Sequence, residues 1–255
     1  MMKRIAEICC GSLEDAVIAQ RAGADRIELN NAIFLGGLTP SLGTIKLVTE
    51  NVNIPVVVMI RPRAGGFCYN DYEYDTMLSD IESILNYDIE GIAFGCLDEK
   101  MDIDKCKNKK IIDMAHKHKK DAIFHRAFDC VKDPYSSMEQ LIDLGVDRVL
   151  TSGLKEKAVD GADLLEKLQS KYGDKIQILA GSGINATNCS YLVNKTGILQ
   201  YHSSCRAWRK DPTTISNVSY SYGAHPYEGD YDLVSYKKAV EFVSALKGNI
   251  EDLYK

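Results

Sequence analysis

Two glutamates near the N-terminus lie in short apolar runs that indicate the first two β-strands. Glu7 falls within residues 4–9 and Glu28 within residues 26–30. If adjacent strands bring two carboxylates into one sheltered site, the pKa of one of them rises, and the pair can act as general acid and general base. The alternative is that both carboxylates pair with arginines in a structural ion network.

The segment 124–129, Phe-His-Arg-Ala-Phe-Asp, places three ionisable side chains at the end of a predicted strand. We expect His125 to transfer protons and Asp129 to orient its imidazole ring. Arg126, together with Arg61 at the end of an earlier strand, is expected to bind an anionic substrate. A histidine at a strand end can also be a hydrogen-bonded core residue, and this alternative stays open.

The segment 181–185, Gly-Ser-Gly-Ile-Asn, follows a predicted strand and precedes a predicted helix. We expect the backbone amides of Gly181, Ser182 and Gly183 to bind a phosphate or a carboxylate at the start of that helix. The alternative is a tight glycine turn in which Asn185 caps the helix. Two more polar residues at predicted strand ends complete the expected substrate-binding set: Ser152 and His202.

Two adjacent cysteines, Cys9 and Cys10, end the first predicted strand and are the candidate ligands for a soft metal ion. Cu(I) prefers thiolate and thioether ligands, sometimes with imidazole. Adjacent residues on a strand point to opposite faces, so both thiols cannot easily bind one ion inside a barrel. The alternative is ordinary packing, because a free cysteine behaves as a small buried apolar side chain.

Short β-branched runs alternate with segments whose apolar residues recur every three or four positions, and this alternation indicates βα units. We therefore predict a single α/β domain over residues 1–255, a (β/α)8 TIM barrel whose strand ends meet at one mouth. A long loop is expected at about 206–230. The predicted strands are residues 4–9, 26–30, 55–61, 91–95, 122–126, 148–152, 176–180 and 198–203. The predicted helices are residues 13–22, 44–51, 75–87, 106–118, 134–144, 162–172, 186–195 and 233–246.

Composition excludes several classes of partner. The formal net charge is −5 and the basic residues are spread along the chain, so no surface for a nucleic-acid backbone is expected. No apolar run approaches the roughly 18 to 20 residues that span a bilayer. The first ten residues contain Glu7 within their apolar run and so lack the core of a signal peptide. We expect a cytoplasmic protein whose eight cysteines are free thiols.

Several motifs in register resemble the CutC family over residues 7 to about 202. The resemblance implies a TIM barrel, a cytoplasmic setting, Cu(I) binding through cysteines, a role in copper homeostasis and a tendency to form homo-oligomers. The chain departs from the expected pattern at Asn30, where many relatives have a cysteine. The matching motifs are residues 7–9, 12–14, 23–29, 36–41, 58–63, 124–129, 144–153 and 181–185.

Two functions remain open at this point. The first is a copper homeostasis protein that binds Cu(I) through cysteine. The second is a TIM-barrel enzyme acting on a small anionic or sugar-like metabolite, with Glu7 and Glu28 as acid and base, His125 as proton carrier, and Arg61 and Arg126 binding the anion. Whether the chain is an enzyme is left undecided by the sequence.

Overall fold

Eight parallel strands form a closed barrel in the structure, a computed structural model that describes residues 3–248. Neighbouring strands pair in chain order, and the last pairs with the first. The predicted TIM barrel is confirmed; residues 1, 2 and 249–255 of the predicted domain lie outside the described residues. The strands are β1 (Ile5–Cys10), β2 (Arg26–Leu29), β3 (Val56–Met59), β4 (Gly91–Phe94), β5 (Asp121–Phe124), β6 (Arg148–Thr151), β7 (Gln177–Ala180) and β8 (Gln200–Ser203).

Helices follow the strands, and eight lie within the described part of the chain. Several ends differ from the prediction: the third helix starts at Asp71 rather than 75, because Asn70 and Glu73 form a capping box at its N-terminus. The seventh starts at Cys189 rather than 186. The helices are α1 (Leu13–Arg21), α2 (Leu42–Asn51), α3 (Asp71–Ile84), α4 (Lys105–Lys117), α5 (Pro134–Leu144), α6 (Ala162–Tyr172), α7 (Cys189–Thr196) and α8 (Tyr236–Lys247).

Strand alternation divides each barrel strand between two environments. One set of side chains, such as Ile8, Ile27 and Val58, packs against the helices in the main hydrophobic core. The other set points into the barrel. On the side of β3, β4 and β5 the inward set forms a separate apolar cluster, whereas on the side of β8, β1 and β2 it is ionisable. The apolar cluster consists of Val57, Met59, Ala93 and Ile123.

The predicted loop at 206–230 is wrong at its two ends. Residues Arg206–Lys210 form β9 and Asp230–Val234 form β10, and the two strands pair antiparallel outside the barrel. Aromatic stacking holds this hairpin together: the rings of Trp208 and Tyr227 lie 5.0 Å apart at their centroids and nearly parallel. The final helix therefore starts at Tyr236, not at 233. No helix within residues 3–248 combines the length and apolar character that a membrane crossing needs.

Candidate functional site

The strand ends surround a cavity of about 270 Å³ at the mouth of the barrel. The predicted site residues fall into two groups, those that line this cavity and those that do not. Arg126, Ser182 and Gly183 line the cavity along with the inward strand-end residues, whereas Cys10, Asp129, Ser152 and Gly181 do not. The inward residues that line the cavity include Cys9, Glu28, Asn30, Arg61, His125 and His202.

Three of these side chains form a compact cluster of possible metal ligands: Cys9, Glu28 and His202. One sulfur, one carboxylate oxygen and one imidazole nitrogen all lie within 4.8 Å of one another. Strand register explains the cluster, because Cys9 is the partner of Glu28 on β2, and Glu7, on the same face as Cys9, is the partner of His202 on β8. Burial raises the pKa of both the Cys9 thiol and the Glu28 carboxyl, since the charged forms lose hydration.

Glu7 supports this cluster from below. It is 1% exposed, and it accepts hydrogen bonds from Nε of Arg26 and, at 2.7 Å, from Nδ1 of His202. Burial alone would raise the pKa of Glu7, but Arg26 and His202 outweigh it and hold that pKa well below its usual range. Burial would lower the pKa of His202, but Cys9, Glu7 and Glu28 raise it well above its usual value. With Nδ1 held by Glu7, Nε2 is the ring nitrogen left for a ligand.

Cys10 lies on the opposite face of β1 from Cys9. It is fully buried in the core between barrel and helices, where its thiol contacts the carbonyl oxygen of Ile8 at 3.5 Å. The prediction that Cys9 and Cys10 both serve as metal ligands is therefore wrong for Cys10. The cause is the alternation of side chains along a strand.

His125 is buried at the end of β5 as a neutral imidazole. Burial, and secondarily the charge of Arg61, lowers the pKa of His125 to about 3. Its Nδ1 accepts a hydrogen bond from the backbone N–H of Ala127 at 3.1 Å, so Nε2 carries the proton, and Nε2 has no partner within the described residues. Gly95 makes room for the ring, because a Cβ at this position would lie 2.7 Å from Nδ1 of His125.

Asp129 does not orient His125, contrary to the prediction. Its carboxylate instead accepts hydrogen bonds from Thr151 Oγ1 at 2.6 Å, from the backbone N–H and hydroxyl of Ser152 at about 3 Å, and from Nε of Arg126 at 2.7 Å. Five donors thus fix this carboxylate against the loop after β6, with the N–H of Leu154 as the fifth. Asp129 and Ser152 hold the loop that follows β6, and Arg126 is a paired, half-exposed cation.

The Gly-Ser-Gly segment after β7 forms a turn, and α7 begins only at Cys189. The predicted helix start directly behind the glycines is therefore wrong, and Asn185 instead accepts a hydrogen bond from the N–H of Thr187 within the turn. Ser182 adopts a φ of 82° and donates its hydroxyl to the carbonyl of Glu156 at 2.6 Å. Gly181 packs against Leu150 and His202 behind the cavity wall. Anion binding by this segment stays a prediction.

Two residues of the mouth were missed as site residues. Asn30 donates from Nδ2 to Glu28 at 2.8 Å and to the Cys9 sulfur at 3.4 Å, so it occupies the position next to the ligand cluster. Phe67 covers the mouth from the loop after β3, with its ring centroid 4.9 Å from that of His125. A glycine pair followed by an aromatic residue, at positions 65–67, was the available sequence signal for a covering loop.

The architecture and the buried thiol, carboxylate and imidazole define a parallel β/α barrel with a candidate metal site at the C-terminal ends of its strands. The CutC family model matches residues 4–207, and the chain belongs to the CutC family. A CutC family protein of Treponema denticola is 43% identical over 94% of this chain and 98% of the relative. The human copper homeostasis protein cutC homolog is 39% identical over 96% of this chain and 89% of the relative. The crystal structure of a CutC protein from Streptococcus agalactiae has a TM-score of 0.75 and 31% identity, covering 79% of this chain and 98% of that one.

Proposed function

We propose that this protein takes part in copper homeostasis by binding Cu(I) at Cys9, His202 and Glu28. The observation that carries the proposal is the convergence of one donor atom from each residue within 4.8 Å. Family membership supports it, because the human and mouse relatives are each named copper homeostasis protein cutC homolog. In this proposal the copper ion is cargo that the protein binds and releases, not a resident cofactor.

The donor set fits such an ion. A deprotonated Cys9 supplies the soft thiolate that Cu(I) prefers, and imidazole is an accepted second ligand. Glu7 holds Nδ1 of His202 at 2.7 Å, which leaves Nε2 pointing away from that carboxylate. A carboxylate behind a ligating histidine is the usual arrangement at metal sites, where it fixes the ring and increases its basicity. Asn30, in place of a second thiol, leaves Cys9 as the single cysteine of the cluster.

We infer a cytoplasmic setting, and the eight cysteines support it, since all of them are free thiols. Homo-oligomer formation stays a prediction from the family resemblance. So do the catalytic roles first assigned to Glu7, Glu28 and His125, for which the geometry offers a buried, polar mouth but no reaction.

The two adjacent cysteines provide a matched test. Reduced protein is titrated anaerobically with Cu(I) in competition with a chromogenic chelator, for the wild type, Cys9→Ala and Cys10→Ala. We expect one tight equivalent in the wild type and in Cys10→Ala. In Cys9→Ala the affinity should fall by more than the roughly 100-fold upper end seen for residues that only support a ligand. Equal affinity in all three proteins, or loss in Cys10→Ala alone, would overturn the assignment.

A further inference from the structure

Arg61 is a buried cation with no carboxylate beside it among the described residues. It is 5% exposed, and the hydrogen-bond acceptors of its guanidinium among the described residues are all neutral. Its guanidinium donates to three neutral backbone carbonyls: from Nη1 to Leu35 and Gly37, both at 3.0 Å, and from Nη2 to Gly65 at 2.6 Å. Of the five N–H groups of an arginine, two are left over, and Nε is one of the atoms without a partner.

Two more residues that line the same cavity also carry a buried polar atom without a partner among the described residues. Nε2 of His125 is a donor, because Nδ1 accepts from the backbone of Ala127. Oδ1 of Asn30 is an acceptor, because its Nδ2 donates to Glu28. A buried polar group without a partner costs free energy, commonly about 1–3 kcal/mol, and such groups are rare in folded proteins. Three residues that line one cavity thus carry two donors and one acceptor without partners among the described residues, and this favours a ligand from outside the chain.

Charge identifies the partner as an anion. The two other arginines that line the cavity are compensated, Arg126 by Asp129 at 2.7 Å and Arg206 by Asp232 at 3.5 Å. Arg61 is not, and an uncompensated buried charge is expensive unless a counter-ion joins it. A cavity of about 270 Å³ has the volume of roughly nine water molecules, so it accepts only a small molecule.

Phe67 separates this group of atoms from solvent. Its ring centroid lies 5.1 Å from the guanidinium carbon of Arg61 and 4.9 Å from the ring centroid of His125. The residue belongs to the loop after β3, directly behind Gly65 and Gly66, both exposed, and Gly65 has a φ of 89°. An aromatic ring over the cation and the imidazole excludes water and so strengthens any ionic contact formed beneath it.

We propose that Arg61, His125 and Asn30 form a binding site for a small monocarboxylate that also carries a hydroxyl group. The carboxylate accepts hydrogen bonds from Nε of Arg61 and Nε2 of His125, and the hydroxyl donates to Oδ1 of Asn30. A single uncompensated cation matches one carboxylate. The inference goes beyond the proposed copper site and does not depend on it, because none of these three residues belongs to the ligand cluster.

Glycolate is the probe, with acetate and glycolamide as controls that lack the hydroxyl and the charge. Binding is measured by calorimetry on metal-free protein and by NMR of protein labelled with ¹⁵N-histidine. We expect saturable glycolate binding, weaker acetate binding, and no glycolamide binding. The Nε2 resonance of His125 should shift on addition of glycolate, which reports on the wild type and needs no variant. The absence of saturable binding in the millimolar range, or equal binding of all three compounds, would overturn the proposal.

Variants separate this site from the copper site. Arg61→Gln should weaken glycolate binding about ten- to hundredfold, the usual value of a charge-assisted hydrogen bond, and Arg63→Gln, on the same loop, should not. Cys9→Ala should keep glycolate binding, whereas it should lose copper. If Arg61→Gln fails to fold, the shift of the His125 Nε2 resonance in the wild-type protein still tests the proposal. Loss of glycolate binding in Cys9→Ala, with Arg61→Gln unaffected, would move the anion to the ligand cluster and contradict the proposal.

Discussion

The buried arginines at the two ends of the barrel interior have different partners. At the base, Arg148 donates to Glu90 at 3.0 Å and to Asp121 at 3.3 Å, and Arg26 pairs with Glu7, so each cation has carboxylates beside it. At the mouth, Arg61 has only neutral carbonyls. Removing one partner of a buried ion pair destabilises the fold, whereas a buried cation without a carboxylate is expensive until a counter-ion joins it. We therefore assign the base to stability and the mouth to binding.

The largest expected effect is the loss of stability when the buried ion pair between Arg26 and Glu7, at the base of the barrel, is removed. Arg26→Met leaves Glu7 buried without its arginine, and removing one partner of a buried ion pair costs about 3–5 kcal/mol of unfolding free energy. Urea unfolding measures this loss. Arg63→Met is the control, because Arg63 pairs with Glu73 near the surface and should cost no more than about 1 kcal/mol. Similar small losses in both variants would contradict a stabilising role for the base.

The pH dependence of the unfolding free energy tests whether His125, at the mouth, is a buried neutral imidazole. Its pKa is about 3 in the folded chain and about 6.5 when unfolded, so protons bind the unfolded chain preferentially. Stability should therefore be complete above pH 6.5 and fall as the pH drops, by up to about 3 kcal/mol at pH 4. His125→Gln should flatten this part of the profile, whereas His118→Gln, at an exposed position, should leave it unchanged. A wild-type profile that is flat between pH 6.5 and 4 would refute the neutral, buried imidazole.

The smallest expected effect tests whether Asp129 belongs to the binding site at the mouth. Asp129→Asn removes a carboxylate that accepts from Thr151, Ser152 and Leu154, and we expect a loss of about 1–3 kcal/mol in urea unfolding. Copper affinity should stay unchanged and glycolate should still bind, because this carboxylate faces the loop after β6 and contacts neither the ligand cluster nor Arg61 and His125, although Arg126 loses its counter-charge. A folded Asp129→Asn protein that no longer binds either ligand would return this residue to the site.

The sequence predicts the barrel well because each strand is a short β-branched run with a helix after it. The inward direction of Glu7 and Glu28 follows from the same pattern, since period-two alternation and parallel register decide which side chains point inward. Glu28 lines the cavity at the mouth, whereas Glu7 lies below it. The strand at Arg206–Lys210 was missed because its stability comes from Trp208 stacking on Tyr227, a contact between residues that are distant in the chain.

The hydrogen-bond and ion-pair partners of the site residues were harder to predict than the positions of these residues in the fold. The sequence places Asp129 four residues after His125, yet its carboxylate bonds to Thr151 and Ser152, because the 3₁₀ helix at Arg126–Cys130 turns the side chain towards β6. Arg61 and Arg126 look alike in the sequence, both at strand ends. Only the packed structure distinguishes the arginine that pairs with a carboxylate from the one that does not.

The X-ray absorption spectrum at the copper edge, recorded on protein loaded with one equivalent of Cu(I), tests the ligand cluster most directly. The arrangement of Cys9, Glu28 and His202 predicts one sulfur together with nitrogen or oxygen neighbours. In Cys9→Ala the sulfur contribution should disappear. A copper ion surrounded by two or more sulfur atoms and no lighter ligand would place the metal on other thiols and contradict the account.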